Sequence, residues 1–182
     1  MPTIQFPIDP RLILDQIENC KTMTYQTFAE INHCSIQEVY TICESQSGCT
    51  HYDIVKDRYL VLFNSSTDNN NVAGRIRWTL AHELGHIILK HLLYVADKKI
   101  AERNFRNLSN PELESEADYF ASLLLAPMPL YKQLSIQTAK DIQTTFGLSC
   151  EAAECRWRDY LRWTRNHTKT AWENDLKRIY QS

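Results

Sequence analysis

Glycine is scarce in this sequence: four in 182 residues, beside six prolines. That is too few for a turn-rich or low-complexity chain. An excess of one charge is also missing. Twenty basic residues face 22 acidic ones, a formal net charge of −2, so no broad basic field exists to hold nucleic acid non-specifically. The longest apolar runs, such as Tyr59–Phe63 and Leu123–Pro127, fall far short of a membrane span. The opening MPTIQFPIDPRLILDQ has neither a basic start nor an unbroken apolar stretch and does not read as a secretory signal. The six cysteines (Cys20, Cys34, Cys43, Cys49, Cys150 and Cys155) contain no C-x-x-C pair, against a zinc ribbon or a thioredoxin-like motif. Without an export signal they are expected to remain thiols. The expectation is a cytoplasmic protein with no membrane and no direct nucleic-acid partner.

What is present is ordinary globular material, 43% hydrophobic and 23% charged, at a length that suits one domain with a real core over residues 1–182. Helical spacing of apolar residues and Ser/Thr at cap positions predict helices over Pro10–Cys20, Thr24–Asn32 and Ser35–Ser45, an N-terminal helical part covering 1–46. Thr50–Val55 and Arg58–Asn64 read as a β-hairpin joined at Lys56–Asp57. A polar loop over Asn64–Asn71 leads to a helix from about Gly74 to Leu93, which completes a segment, 47–93, of small sheet and helix. Residues 95–109 read as a charged loop. A second strong helix starts at Asn110–Pro111, with proline where its missing N–H costs nothing, and Pro127 and Pro129 end it. Helices over Ser135–Phe146 and Ser149–Arg165 and a last segment near 169–180 complete the part spanning 110–182. Helices, a small sheet, then helices make the class α+β.

One segment carries chemistry. His82-Glu83-Leu84-Gly85-His86 is an H-E-x-x-H match inside a predicted helix. Residues four apart share a helix face, so both imidazoles can reach one ion at about 2.0–2.1 Å. Glu83 lies about 100° round from His82, able to serve a water on the metal without ligating it. With six histidines in the chain, this pattern arises by accident in roughly one such sequence in a hundred. Gly85 stands mid-helix, where it costs about 1 kcal/mol against alanine; such a glycine marks close approach of another backbone or simply loose packing.

A catalytic zinc generally takes three protein ligands and keeps one open position. His91 is nearest in sequence, but nine residues on one helix place it about 180° from His82. The longer H-E-x-x-H-x-x-G-x-x-H pattern requires Gly at 89 and His at 92, and both are leucine. His91 therefore reads as a helix-end residue, and His33, His51 and His167 as ordinary histidines. The second helix offers carboxylates instead: Glu114, Glu116 and Asp118. Glu114 and Asp118 are four apart, so one can ligate while the other holds an imidazole by its far N–H. A solvated acidic first turn, favoured by the helix dipole, is the plain alternative.

RIRWTLAHELGHIILKH (75–91) followed by ESEADYFASLLLAP (114–127) resembles the ImmA/IrrE family of metallo-endopeptidases, over roughly residues 45–165. The resemblance implies a zincin-like fold and a Zn2+ ion. Its ligands would be His82, His86 and Glu114, with Glu83 as general base, Asp118 behind a ligand histidine, and Glu116 as the alternative third ligand. It also implies a protein substrate: a helix-turn-helix repressor of a phage or mobile element, encoded nearby. A non-proteolytic zinc-bearing regulatory domain is the competing reading, against which the intact Glu83 argues. Tyr25–Val39 has some helix-turn-helix spacing, but His33 holds the turn position usual for glycine. Residues 1–50 also carry two basic groups against six acidic, wrong for approaching phosphates. Trp157, Trp163 and Trp172 read as core or interaction surface. An extended substrate segment is expected to pair with Arg58–Asn64 as an exposed edge strand.

Overall fold

Polar caps set where the short helices begin. The computed structural model describes residues 4–66, 72–96, 111–168 and 170–181. Within these, Thr24 accepts from the Thr27 amide at the start of α2 (Tyr25–Asn32), and Ser35 with Glu38 forms a reciprocal capping box on α3 (Ile36–Cys43). Both caps stand where the sequence marks them. His33 closes α2 in the left-handed conformation, φ 53°. The turn thus forms without glycine, and the charge balance alone argues against a DNA-reading helix pair.

The helix expected over Pro10–Cys20 is shorter. α1 covers only Pro10–Leu14, and the chain then enters a strand, β1 (Cys20–Thr24). Its partner explains it. β1 runs parallel to β3 (Arg58–Phe63), with Cys20 opposite Tyr59, while β2 (Gly48–Asp53) is antiparallel to β3 on the other side. The order β1-β3-β2 places β3 in the centre of the sheet, which corrects the expectation that Arg58–Asn64 is an exposed edge. The reason lies in the sequence. Tyr59–Phe63 is an unbroken apolar run, the mark of a strand covered on both faces, and Tyr59, Val61, Leu62 and Phe63 are buried. β2 is the edge strand of the predicted hairpin.

α4 (Val72–Ile88) packs on β2 and β3 and buries Leu80, Ala81, Leu84 and Ile87. It stops five residues before the expected end. Lys90 takes a positive φ of 60°, and a separate short helix, α5, runs from His91 to Ala96. α6 spans Pro111–Leu125, as its flanking prolines predict. The loops expected at Asn64–Asn71 and 95–109 lie largely outside the described residues.

Chain contacts divide into two compact units, Asp9–Ala121 and Ser122–Ser182 with Met1–Ile8. The first holds everything named so far except the end of α6. The second is helical: a 3-10 turn at Met128–Leu130, then α7 (Ala139–Phe146), α8 (Cys150–Asn166) and α9 (Ala171–Gln181). Its core stacks Tyr131 on Phe146, with Phe6 edge-on to the same ring. Buried Arg156 donates to the Ser122 and Ala126 carbonyls at the end of α6, groups the helix itself leaves unpaired. Trp157 and Trp163 flank Tyr160 along α8. Among the described residues no helix is long and apolar enough to cross a membrane.

Candidate metal centre

α4 presents three faces, each with its own neighbour. Leu80, Leu84 and Ile87 go to the core, Thr79 and Glu83 towards β2, and His82 and His86 towards α6. All the residues of the site belong to the Asp9–Ala121 unit.

His82 and His86 bring their Nε2 atoms to 3.0 Å from each other. Glu114 on α6 closes the triangle, with Oε2 3.2 Å from His82 Nε2 and Oε1 3.6 Å from His86 Nε2. Donors around a tetrahedral ion at about 2.0–2.1 Å sit about 3.3 Å apart, so the three atoms already have the spacing of one coordination sphere.

The hydrogen bonds behind them say which lone pairs face inwards. Asp118 Oδ1 accepts from His82 Nδ1 at 2.9 Å. Glu116 Oε2 accepts from His91 Nε2 at 3.0 Å, and His91 Nδ1 is 2.9 Å from His86 Nδ1. A carboxylate only accepts. A neutral His91 that donates through Nε2 accepts through Nδ1, and His86 then donates through its own Nδ1. That leaves the His86 Nε2 lone pair facing His82 Nε2 and the Glu114 carboxylate. Burial, with His82 and His91 close by, pushes the His86 pKa down to about 3, so its imidazole stays neutral. Two imidazole nitrogens and a carboxylate gathered this closely share a proton or a cation among them, and the donor set fits a metal ion.

Glu83 occupies a different environment. It is 7% exposed, and Thr50 Oγ1 on β2 donates to its Oε2 at 2.6 Å. Burial raises its pKa above the usual carboxylate value, and the Thr50 hydrogen bond and the neighbouring His82 act in the opposite direction. Gly48, two residues before Thr50, leaves room here. A Cβ on it would clash with Thr79 Cγ2 and lie 3.6 Å from Glu83 Oε1. Gly85 serves the other side: a Cβ there would stand 3.2 Å from Ala117 Cα on α6. That is the close backbone approach its mid-helix position suggests. A cavity of about 690 Å3 opens over these groups, bordered by β2, α4 and the start of α6.

The structure thus brings His82, His86 and Glu114 together, sets Glu83 beside them and Asp118 behind His82. Glu116 does not join the cluster; it backs His91. His91 is not an incidental helix-end residue, because the break at Lys90 lets it fold back onto His86. An unbroken helix cannot do this, and the angular argument assumed one. Thr50 carries no signal in the sequence at all.

Residues 51–158 match the Peptidase_M78 family, described as the IrrE N-terminal-like domain. The chain belongs to that family. The match covers more than half of the sequence and contains β3, the H-E-x-x-H helix and α6, with half of β2 and just over half of α8. Membership of Peptidase_M78 makes the protein one of metallopeptidase type. It agrees with the α+β fold and with a metal ion at the His-His-Glu cluster. No curated protein and no solved structure matches the chain significantly.

Proposed function

We propose that this M78 protein is a zinc-dependent endopeptidase acting on a cytoplasmic protein, a helix-turn-helix repressor of a phage or mobile element encoded nearby. The observation that carries the peptidase reading is the triangle of His82, His86 and Glu114, whose donor atoms already stand at the spacing of one coordination sphere. Two imidazoles and one carboxylate form the donor set of catalytic zinc sites, which keep the remaining position open. A zinc ion held there supplies Lewis-acid activation of water and of a substrate carbonyl.

The chain's own residues do the rest. Glu83 takes the proton of the attacking water and returns it to the leaving amine nitrogen. Its raised pKa brings it closer to neutrality, where a base both accepts and releases a proton well. Thr50 fixes Oε2, so the proton is handled at Oε1, on the side that Gly48 leaves clear. Asp118 and the His91–Glu116 pair hold the two imidazole rings in the tautomer that faces the ion. An extended substrate segment pairs with the outer edge of β2, which borders the cavity. Main-chain pairing tolerates many sequences, so selection of one repressor rests on contacts outside the cleft. The choice of a repressor is supported only by the family resemblance.

The test is cleavage by purified zinc-loaded protein of the repressor encoded beside it, compared with casein. Cutting of the repressor at one or a few sites, lost in Glu83→Gln, supports the proposal. Degradation of casein at many sites with the repressor intact overturns the substrate assignment. No cleavage of either overturns the peptidase.

A further inference from the structure

A second group of metal-ligating side chains lies on the far face of β2. Cys43 is the last residue of α3, and Glu44 then takes φ 44° and turns the chain towards β2. Cys49 and His51 are two apart on that strand, so they share one of its faces, while Thr50 between them points to the other and holds Glu83. The two sulfurs and an imidazole nitrogen all lie within 4.8 Å of one another.

We propose that Cys43, Cys49 and His51 bind a second zinc ion, separate from the ion of the His-His-Glu centre. The spacing suits one. Cys49 Sγ and His51 Nε2 are 3.4 Å apart, and a tetrahedral zinc with Zn–S of about 2.3 Å and Zn–N of about 2.0–2.1 Å places such atoms about 3.6 Å apart. Two thiolates and an imidazole are soft donors that select zinc or copper(I) over magnesium, calcium or manganese. The back of the site is apolar, since Tyr25, Val39 and Leu62 form one buried cluster with Cys43. The front is open, because Cys43, Cys49 and His51 all line the cavity, which lets an ion and one further small ligand enter.

The placement gives the site a role. An ion bound by Cys49 and His51 ties down β2 on both sides of Thr50, the residue that orients Glu83. Its occupancy therefore couples thiophilic metal supply to the geometry of the proton-handling group. The binding site itself does not depend on the peptidase reading.

Cobalt(II) distinguishes the two centres, because only thiolate ligands give sulfur-to-cobalt charge-transfer absorption in the near ultraviolet. The reduced, metal-stripped full chain should bind two cobalt ions, one of which develops that absorption. Cys49→Ser should lose the absorption and one ion, whereas His82→Ala should keep the absorption and lose the other ion. A measurement on the unaltered protein guards against misfolded variants. Zinc should slow alkylation of Cys43 and Cys49, read by mass spectrometry, and leave the exposed Cys150 and Cys155 reacting as before. A reduced protein that binds one cobalt without thiolate absorption overturns the proposal. So does unprotected alkylation, or a Cys43–Cys49 disulfide as the only state that the pair adopts.

Discussion

α6 and β2 both pack against α4, and they serve its functional residues in different ways. α6 works on the two histidines. Glu114 completes the donor triangle, Asp118 anchors His82, and Glu116 anchors His86 through His91. Its contribution is carboxylate charge, and it is substantially exposed: Glu114, Glu116 and Asp118 have side-chain exposures of 47%, 61% and 57%. β2 works on Glu83 alone, with one hydroxyl and one missing side chain, and it buries what it touches. Charge at the wet side collects a cation, and exclusion of water at the dry side raises a carboxylate's proton affinity. The proposed metal ligands and the proposed base are therefore served by separate elements. Mutations on one should leave the readout of the other in place.

The sharpest separation is at Glu83 itself. Glu83→Gln should lower the cleavage rate by about a hundred- to ten-thousand-fold, while zinc stoichiometry by elemental analysis stays at the wild-type value. Loss of metal in step with activity would show that Glu83 belongs to the ligand set.

Next in size is the reverse case on α6. Glu114→Ala should weaken zinc binding by more than the roughly 10–100-fold expected of residues that only support a ligand. Asp118→Ala and Glu116→Ala should fall within that range, because each acts through an imidazole. A competition titration with a chelator ranks the three. If Glu116→Ala exceeded Glu114→Ala, the third ligand would be Glu116 and the His91 contact would be secondary.

Thr50→Val tests the β2 side with a smaller effect. Removing a hydrogen bond to a buried carboxylate costs about 1.5–3 kcal/mol, and zinc affinity should not move. The sign of the pH effect follows from the causes of the shift. Burial raises the Glu83 pKa and the Thr50 hydroxyl lowers it, so losing the hydroxyl raises it further. The base is active when ionised, so the rate falls as pH drops through that pKa. The acid limb of the rate profile should therefore start above the ordinary glutamate value of 4.5 and move to still higher pH in Thr50→Val. A limb that stayed in place would separate Thr50 from the proton step.

The same contrast explains what the sequence discloses. The α6 side is legible because it is built from residues at helical spacing, Glu114 and Asp118 on one helix against His82 and His86 on another. Periodicity reports faces directly. The β2 side is not, because Thr50 is 33 residues from Glu83 and reaches it only once the sheet exists. β1 is hidden for the same reason. Cys20–Thr24 becomes a strand by pairing with Tyr59–Phe63, a partner that local propensity does not see. His91 is obscured by a single left-handed residue at Lys90, which resets the helical angle. His51 reads as an ordinary histidine because, although it shares a strand face with Cys49, the third member of the group, Cys43, comes from another element.

The smallest effect expected tests how closely α6 must approach. Gly85→Ala should favour α4 by about 1 kcal/mol through helix propensity. The added methyl lies 3.2 Å from Ala117 Cα and from Phe120 Cδ1, and 3.3 Å from the Ala117 carbonyl oxygen. Two of those atoms are backbone, so α6 itself must give by a few tenths of an ångström, and overpacking of this kind costs about 1–3 kcal/mol. The net change in stability should be a loss of about 0–2 kcal/mol, from the difference of these terms. The informative readout is elsewhere. Glu114 and Asp118 move with α6 while Glu83 stays with β2, so zinc affinity should fall by a few-fold and the acid limb of the rate profile should not shift. Unchanged affinity beside lowered stability would show that Glu114 follows the ion on a flexible side chain. The α4–α6 spacing would then be a packing constraint alone.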